Sequence, residues 1–139
     1  MARLAEFAGN NVLLVLGLLG CGGLVVFYEM RQKVLSLTNV DATDSVRLIN
    51  KGAMIIDVRP PDAFQAGHIV NARNIALADI DSNKDIMKKQ KGKTFLTVCD
   101  DGSISGKAAN NLRSAGFEKA FSLKGGLKNW RSENLPLVK

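Results

Sequence analysis

The sequence predicts an α/β fold, an open parallel sheet flanked by helices, preceded by one N-terminal transmembrane helix. Three observations predict it. Short apolar runs at Met54–Val58, Thr94–Val98 and Ala120–Leu123 alternate with longer stretches of helical spacing, the pattern of strands joined by helical crossovers. Those runs are nearly continuous in apolar residues, as expected of strands covered on both faces. Upstream of them, Val12 to Tyr28 runs for seventeen residues without a charge.

As a helix that uncharged stretch is about 26 Å long, enough for a thin bilayer core. Leu and Val dominate it, and Phe27-Tyr28 suit the membrane–water interface. Gly17 and Cys21, four apart, would let another helix approach closely. Two rivals fit less well. A cleaved signal peptide would have only Arg3 and the amino terminus as its basic region, and would meet bulky Phe27-Tyr28-Glu29-Met30 where small residues are needed. A buried core helix rarely lacks polar residues over such a length. The chain therefore divides into a short tail (1–11), a transmembrane helix (12–28), a juxtamembrane linker (29–37) and one domain (38–139).

Arg31 and Lys33, with Arg47 further on, outnumber Arg3 and the terminal amine across the span, which puts the domain on the cytoplasmic side. Redox chemistry agrees. Cys21 lies in the span and Cys99 in the domain, so the two cannot pair, and a lone domain thiol suits a reducing compartment.

Within the domain the elements follow in order. Asp41 or Thr43 caps a helix through Asn50, ended by Lys51-Gly52. Met54–Val58 is a strand, and Pro60-Pro61-Asp62 opens a short helix through Ala66 that Gly67 stops. Ala72–Ile75 is a short strand, Asp79–Gln90 a polar helix and Thr94–Val98 the next buried strand. Ser105–Ala115 is a helix with Gly116 left-handed at its end. Ala120–Leu123 is a strand, and Gly125–Ser132 a helix carrying Trp130 as a core residue. The sequence has no internal repeat and no low-complexity tract.

The net charge of +6 falls entirely in Glu29–Lys139, with 18 Lys and Arg against 12 Asp and Glu. Lys84, Lys88, Lys89, Lys91 and Lys93 cluster on and after one surface helix. Nucleic acid is a poor fit, because no neighbouring aromatics offer stacking. A solvated helix face explains the cluster most simply. Attraction to anionic headgroups beside the span is the alternative, at roughly 1 kcal/mol per residue near the surface.

Chemistry concentrates at Cys99. It directly follows an apolar run and opens the polar stretch Asp100, Asp101, Gly102, Ser103, Ile104, Ser105 ahead of a helix. In open parallel sheets the reactive site lies beyond the carboxyl ends of the strands, where both Asp57 and Cys99 fall. Backbone N–H groups and a helix dipole converge at such a turn and support negative charge on sulfur. A lone cysteine in an apolar stretch is otherwise an inert small hydrophobe.

Together the pieces resemble a rhodanese domain over about Thr38 to Leu137. The marks are Ile55-Ile56-Asp57-Val58-Arg59, Phe64 through Gly67-His68-Ile69, and Ala72-Arg73-Asn74-Ile75. Cys99 follows at the family's nucleophile position, then Gly116-Phe117, Leu123-Lys124-Gly125-Gly126, Trp130 and Leu135-Pro136-Leu137. A span followed by one such domain is similar to small bacterial anchored rhodanese-like proteins, which implies the inner (cytoplasmic) membrane. The resemblance implies a sulfurtransferase in which Cys99 takes sulfane sulfur from a donor as a persulfide and gives it to a thiol acceptor. Donor and acceptor are small molecules or protein-borne. A loop of N–H groups would hold the persulfide anion without metal or cofactor. Asp57 and Arg59 are implied as a pair supporting the loop, and His68, the only histidine, as a packing residue away from the thiol.

The loop departs from the family pattern. Active members often carry Arg or Lys in it; here Asp100 and Asp101 follow the thiol, and Ile104 stands where a cation is often found. The family's phosphatase relatives hold phosphate in a larger loop closed by arginine, so that activity is not expected. Two like charges about 6 Å apart, at an effective dielectric of about 20, repel by roughly 2–3 kcal/mol, more than the roughly 0.3–1 kcal/mol typical of a helix N-terminus. If either aspartate points at the sulfur, repulsion wins and Cys99 is a poor nucleophile toward dianions; if both point to water, screening shrinks the penalty and the amides win. Weak activity on thiosulfate is expected, and an acidic rim favours a neutral, cationic or protein-borne donor. Two alternatives stand beside the enzyme: a scaffold binding a membrane protein, and a redox-sensing thiol.

Overall fold

The computed structural model describes residues 2–139; the side chains of residues 2, 4, 5, 32, 34–37 and 86 lie outside the described set. So does Met1, whose terminal amine enters the charge count above. Two compact units are present, Met1–Ser36 and Leu37–Lys139.

The first unit is helical. Helix α1 (Ala2–Asn10) is followed by α2 (Val12–Leu37). The apolar window of α2, Val12–Arg31, has a mean hydropathy of 2.1 and is long and apolar enough to cross a membrane. Signal sequences share that property. Residues 29–37, expected as a linker, continue the same helix.

The second unit is built on a five-stranded parallel sheet of order β1-β5-β4-β2-β3. Its strands are β1 (Asn39–Val40), β2 (Met54–Asp57), β3 (Arg73–Asn74), β4 (Phe95–Val98) and β5 (Ala120–Leu123). Between and after them come α3 (Ala42–Asn50), α4 (Pro61–Ala66), α5 (Lys84–Lys88), α6 (Ser103–Ser114) and α7 (Gly126–Ser132). All four residues of central β4 are buried, which is why the run reads as continuously apolar. Alternate side chains enter two cores. Ile56 and Phe95 pack with Ala108, Ala109 and Leu112 of α6 on one face. Ile55, Leu96, Val98 and Leu123 pack with Leu127 and Trp130 of α7 on the other. Each large apolar side chain so buried contributes about 1.5–3 kcal/mol.

Several expected elements shift. Asp41 is the cap of α3, its Oδ1 accepting from Asp44 N at 2.8 Å. The single helix expected over Asp79–Gln90 is instead a 3-10 turn at Leu77–Asp79 followed by the short α5. Bonds to the third residue back, Asp79 N to Ala76 O and Lys84 N to Asp81 O before α5, Gln90 N to Met87 O and Lys91 N to Lys88 O after it, tighten the chain into turns and interrupt the helix. Helix α6 begins at Ser103, two residues earlier than expected, so Ser103, Ile104 and Ser105 form its first turn rather than loop. Strand β1 was not expected at all. It forms because Ser122 N donates to Thr38 O and Lys124 N to Val40 O, at 2.7 and 2.8 Å.

Candidate functional site

Cys99 leaves β4 at its carboxyl end, and its side chain joins the core face that holds α6. The residue is 3% exposed. Its Sγ accepts the Gly102 N–H at 3.0 Å and the Ser105 N–H at 3.4 Å. The ring of amides expected around the sulfur is therefore two N–H groups, reached because the chain reverses at Gly102 (φ 90°) straight into α6. Ser105 Oγ lies 3.4 Å from Sγ and 2.8 Å from Ser122 Oγ. Below them Thr97 Oγ1 sits 2.7 Å from Ser105 O and 3.0 Å from Phe121 O.

The loop faces its N–H groups inward because its carbonyls are held from outside. Leu127 N donates to Cys99 O and Lys128 N to Asp100 O, both at 2.9 Å. Only glycine allows that approach. A Cβ on Gly126, at φ 60°, would collide with Cys99 O and the Asp100 backbone.

Arg59 and Asp57 form the expected pair, buried beside the loop. The Arg59 Nη2 donates to Asp57 Oδ2 at 2.7 Å and to Gly67 O at 2.8 Å, and Nε donates to Asp57 Oδ1 at 3.0 Å. Burial opposes the guanidinium charge, but the bonds and charge of Asp57, then Asp100, outweigh it and raise the Arg59 pKa above its ordinary value.

The two aspartates of the loop part company. Asp100 is largely exposed, with Oδ1 3.5 Å from Arg59 Nη1. Asp101 turns its Oδ1 to 3.8 Å from Cys99 Sγ. There it accepts the Ser103 N–H at 2.9 Å and the Ser103 hydroxyl at 2.6 Å. Those two bonds hold the Asp101 carboxyl below its ordinary pKa.

The sequence from residue 41 to 133 matches the rhodanese-like domain model. The chain belongs to the rhodanese-like domain family. It is 35% identical to the uncharacterized protein YibN of Escherichia coli (strain K12), over all of this chain and 99% of that one. It is 38% identical to the thiosulfate sulfurtransferase GlpE of Pseudomonas putida (strain KT2440), over 59% of this chain and 73% of that one. The rhodanese-related protein of Thermoplasma volcanium shares the fold at a TM-score of 0.65 and 27% identity, covering 72% of this chain and 96% of that one.

In this rhodanese-like domain the thiol opens onto a pocket of about 190 Å³ lined by Val58, Arg59, Pro60, Cys99, Asp100, Asp101, Ser103 and Ile104. Of the residues singled out from sequence, the pocket thus gathers Cys99, both aspartates, Arg59, Ser103 and Ile104. Asp57, Gly102 and Ser105 support it from behind. His68 is not among the lining residues: its Nδ1 is 3.0 Å from Phe64 O, and its ring stacks on Phe64 at 3.9 Å. Trp130 is core, its Nε1 donating to Pro136 O at 3.1 Å.

Three supporting residues escaped sequence reasoning. Ser122 and Thr97 are buried hydroxyls behind the sulfur, signalled only as polar residues inside apolar strands. Asn74 bonds Asp57 O and Arg59 O at 3.1 and 2.8 Å, pinning the segment that carries the ion pair. No cluster able to hold a metal occurs among the described residues.

Proposed function

We propose that this protein is a membrane-anchored sulfurtransferase that carries sulfane sulfur as a persulfide on Cys99 and works poorly with thiosulfate. The observation that carries the reading is the sulfur itself, held by two inward N–H groups and opening onto a pocket. The Cys99 thiolate attacks the outer sulfur of the donor, whose S–S bond breaks and whose remaining fragment leaves with the electron pair. An acceptor thiolate then attacks the outer sulfur of the Cys99 persulfide, which restores the Cys99 thiolate. Loop N–H groups support the negative charge in both steps. The apolar helix α2 would tether the domain to the bacterial cytoplasmic membrane, with the domain on the cytoplasmic side.

Incubating the protein with thiosulfate or with organic persulfides and measuring intact mass tests this. A gain of about 32 Da that disappears in Cys99→Ser is expected. No adduct with any donor would remove the enzymatic reading. The second reading, a scaffold that binds a membrane protein, is favoured by the Asp101 carboxylate beside the sulfur. Crosslinking in membranes separates the two: partner capture and cellular phenotype that survive Cys99→Ser support the scaffold.

A further inference from the structure

We propose that Asp101 sets the donor class, turning away dianions such as thiosulfate and leaving the pocket to persulfides with an uncharged organic body. The proposal rests on the reading of Cys99 as a sulfur carrier. Asp101 is fixed by the two Ser103 bonds, which hold Oδ1 3.8 Å from Sγ. It also consumes the Ser103 N–H at the start of α6, a group that would otherwise face an incoming anion.

The one cation in the pocket lining is already engaged. Arg59 is bonded to Asp57 and contacts Asp100, so its guanidinium already faces two carboxylates. Apart from Ser103, the rest of the wall is apolar: Val58, Pro60 and Ile104, the last 46% exposed at the mouth. That wall gives an alkyl body something to cover, while the Ser103 N–H and hydroxyl that could meet a sulfonate are held by Asp101.

The chemistry differs only in the leaving group. From R–S–SH, attack by the Cys99 thiolate forms Cys99–S–SH and expels R–S⁻. From thiosulfate, the same attack forms Cys99–S–S⁻ and expels sulfite dianion. In the second case the whole reacting complex carries two further negative charges past Asp101. In a water-like dielectric, one carboxylate against a dianion about 6 Å away is worth a factor of about ten.

The test is kcat/KM of the full-length protein in detergent for sulfur transfer to a common thiol acceptor. The donors are thiosulfate and the persulfide of N-acetylcysteine methyl ester. Wild type is expected to prefer the persulfide. Asp101→Asn keeps the acceptor oxygen for Ser103 and should raise the thiosulfate-to-persulfide ratio about tenfold, an effect that shrinks in about 0.5 M salt. Asp85→Asn, on exposed α5, removes an equal charge and should leave the ratio unchanged. Ser103→Ala loosens the carboxylate and should raise the ratio by a smaller factor. A ratio within about twofold of wild type in both Asp101→Asn and Ser103→Ala overturns the proposal while Cys99 still turns over. Loss of Cys99 persulfide with both donors in the wild type would instead remove the reading on which it rests.

Discussion

Arg59 and Asp57 stand two residues apart at the end of β2, and at this scale much of the site is legible. The spacing places a carboxylate and a guanidinium on one strand end beside the thiol, and they pair there. Both side chains are almost fully buried, so the pair is asymmetric in its energetics. Removing one member strands the other's charge, which costs about 3–5 kcal/mol, whereas replacing both by apolar groups is often near neutral. Arg59→Met is therefore expected to lower stability by about 3–5 kcal/mol, and Asp57→Leu/Arg59→Met to recover most of it. Urea denaturation of the three proteins measures both; a single variant as stable as wild type would mean that the pair does not hold the loop's neighbour. What the sequence leaves open at this scale is rotamer choice. Nothing in Asp100-Asp101 says that one carboxylate turns to Arg59 and the other to the sulfur. That outcome depends on Arg59 arriving from a different strand and on Ser103 starting α6 early.

Elements are legible where burial is continuous and punctuation is strong. Strands β2, β4 and β5 announce themselves by apolar runs, and α4 by Pro61 at its start and Gly67 after its end. The two-residue β1 has too little sequence to show a period, and α5 is short because the turns on either side of it bond three residues back. The most informative junction is the turn into α7. Gly125-Gly126 has the composition of a turn, but its task is to let the α7 amides reach the backbone carbonyls of Cys99 and Asp100. Gly126→Ala places a methyl group against that backbone at a positive φ, a combination that costs roughly 1–3 kcal/mol. Cys99 persulfide formation should fall with it, because displaced carbonyls rotate the Gly102 and Ser105 N–H groups off the sulfur. Denaturation and the mass assay on the same preparation check the pairing of effects. Lost stability with undiminished persulfide would show that α7 supports the fold but not the loop.

For the whole molecule, the question is what a 26-residue helix does for a domain with its own two cores. The window Val12–Arg31 is 20 residues, about 30 Å as a helix, which matches a hydrocarbon core. Its apolar side chains, such as Leu13, Leu18 and Leu24, are exposed, and a continuous apolar surface of that size is not stable in water. Two fates would relieve it, retention in the bilayer or removal as a signal sequence, and they differ in mass and in side. A retained anchor keeps residues 1–28 on the purified membrane protein, resists alkaline carbonate extraction, and by its Arg31 and Lys33 flank keeps the carboxyl terminus cytoplasmic. A tag fused after Lys139 is then expected to survive protease added to intact spheroplasts and to be digested once they are opened. Digestion in intact spheroplasts would place Cys99 in an oxidising compartment, where a lone thiol is a poor sulfur carrier. A shortened soluble chain would do the same by the other route. The side on which the domain stands therefore decides whether the chemistry at Cys99 has a reducing acceptor to serve.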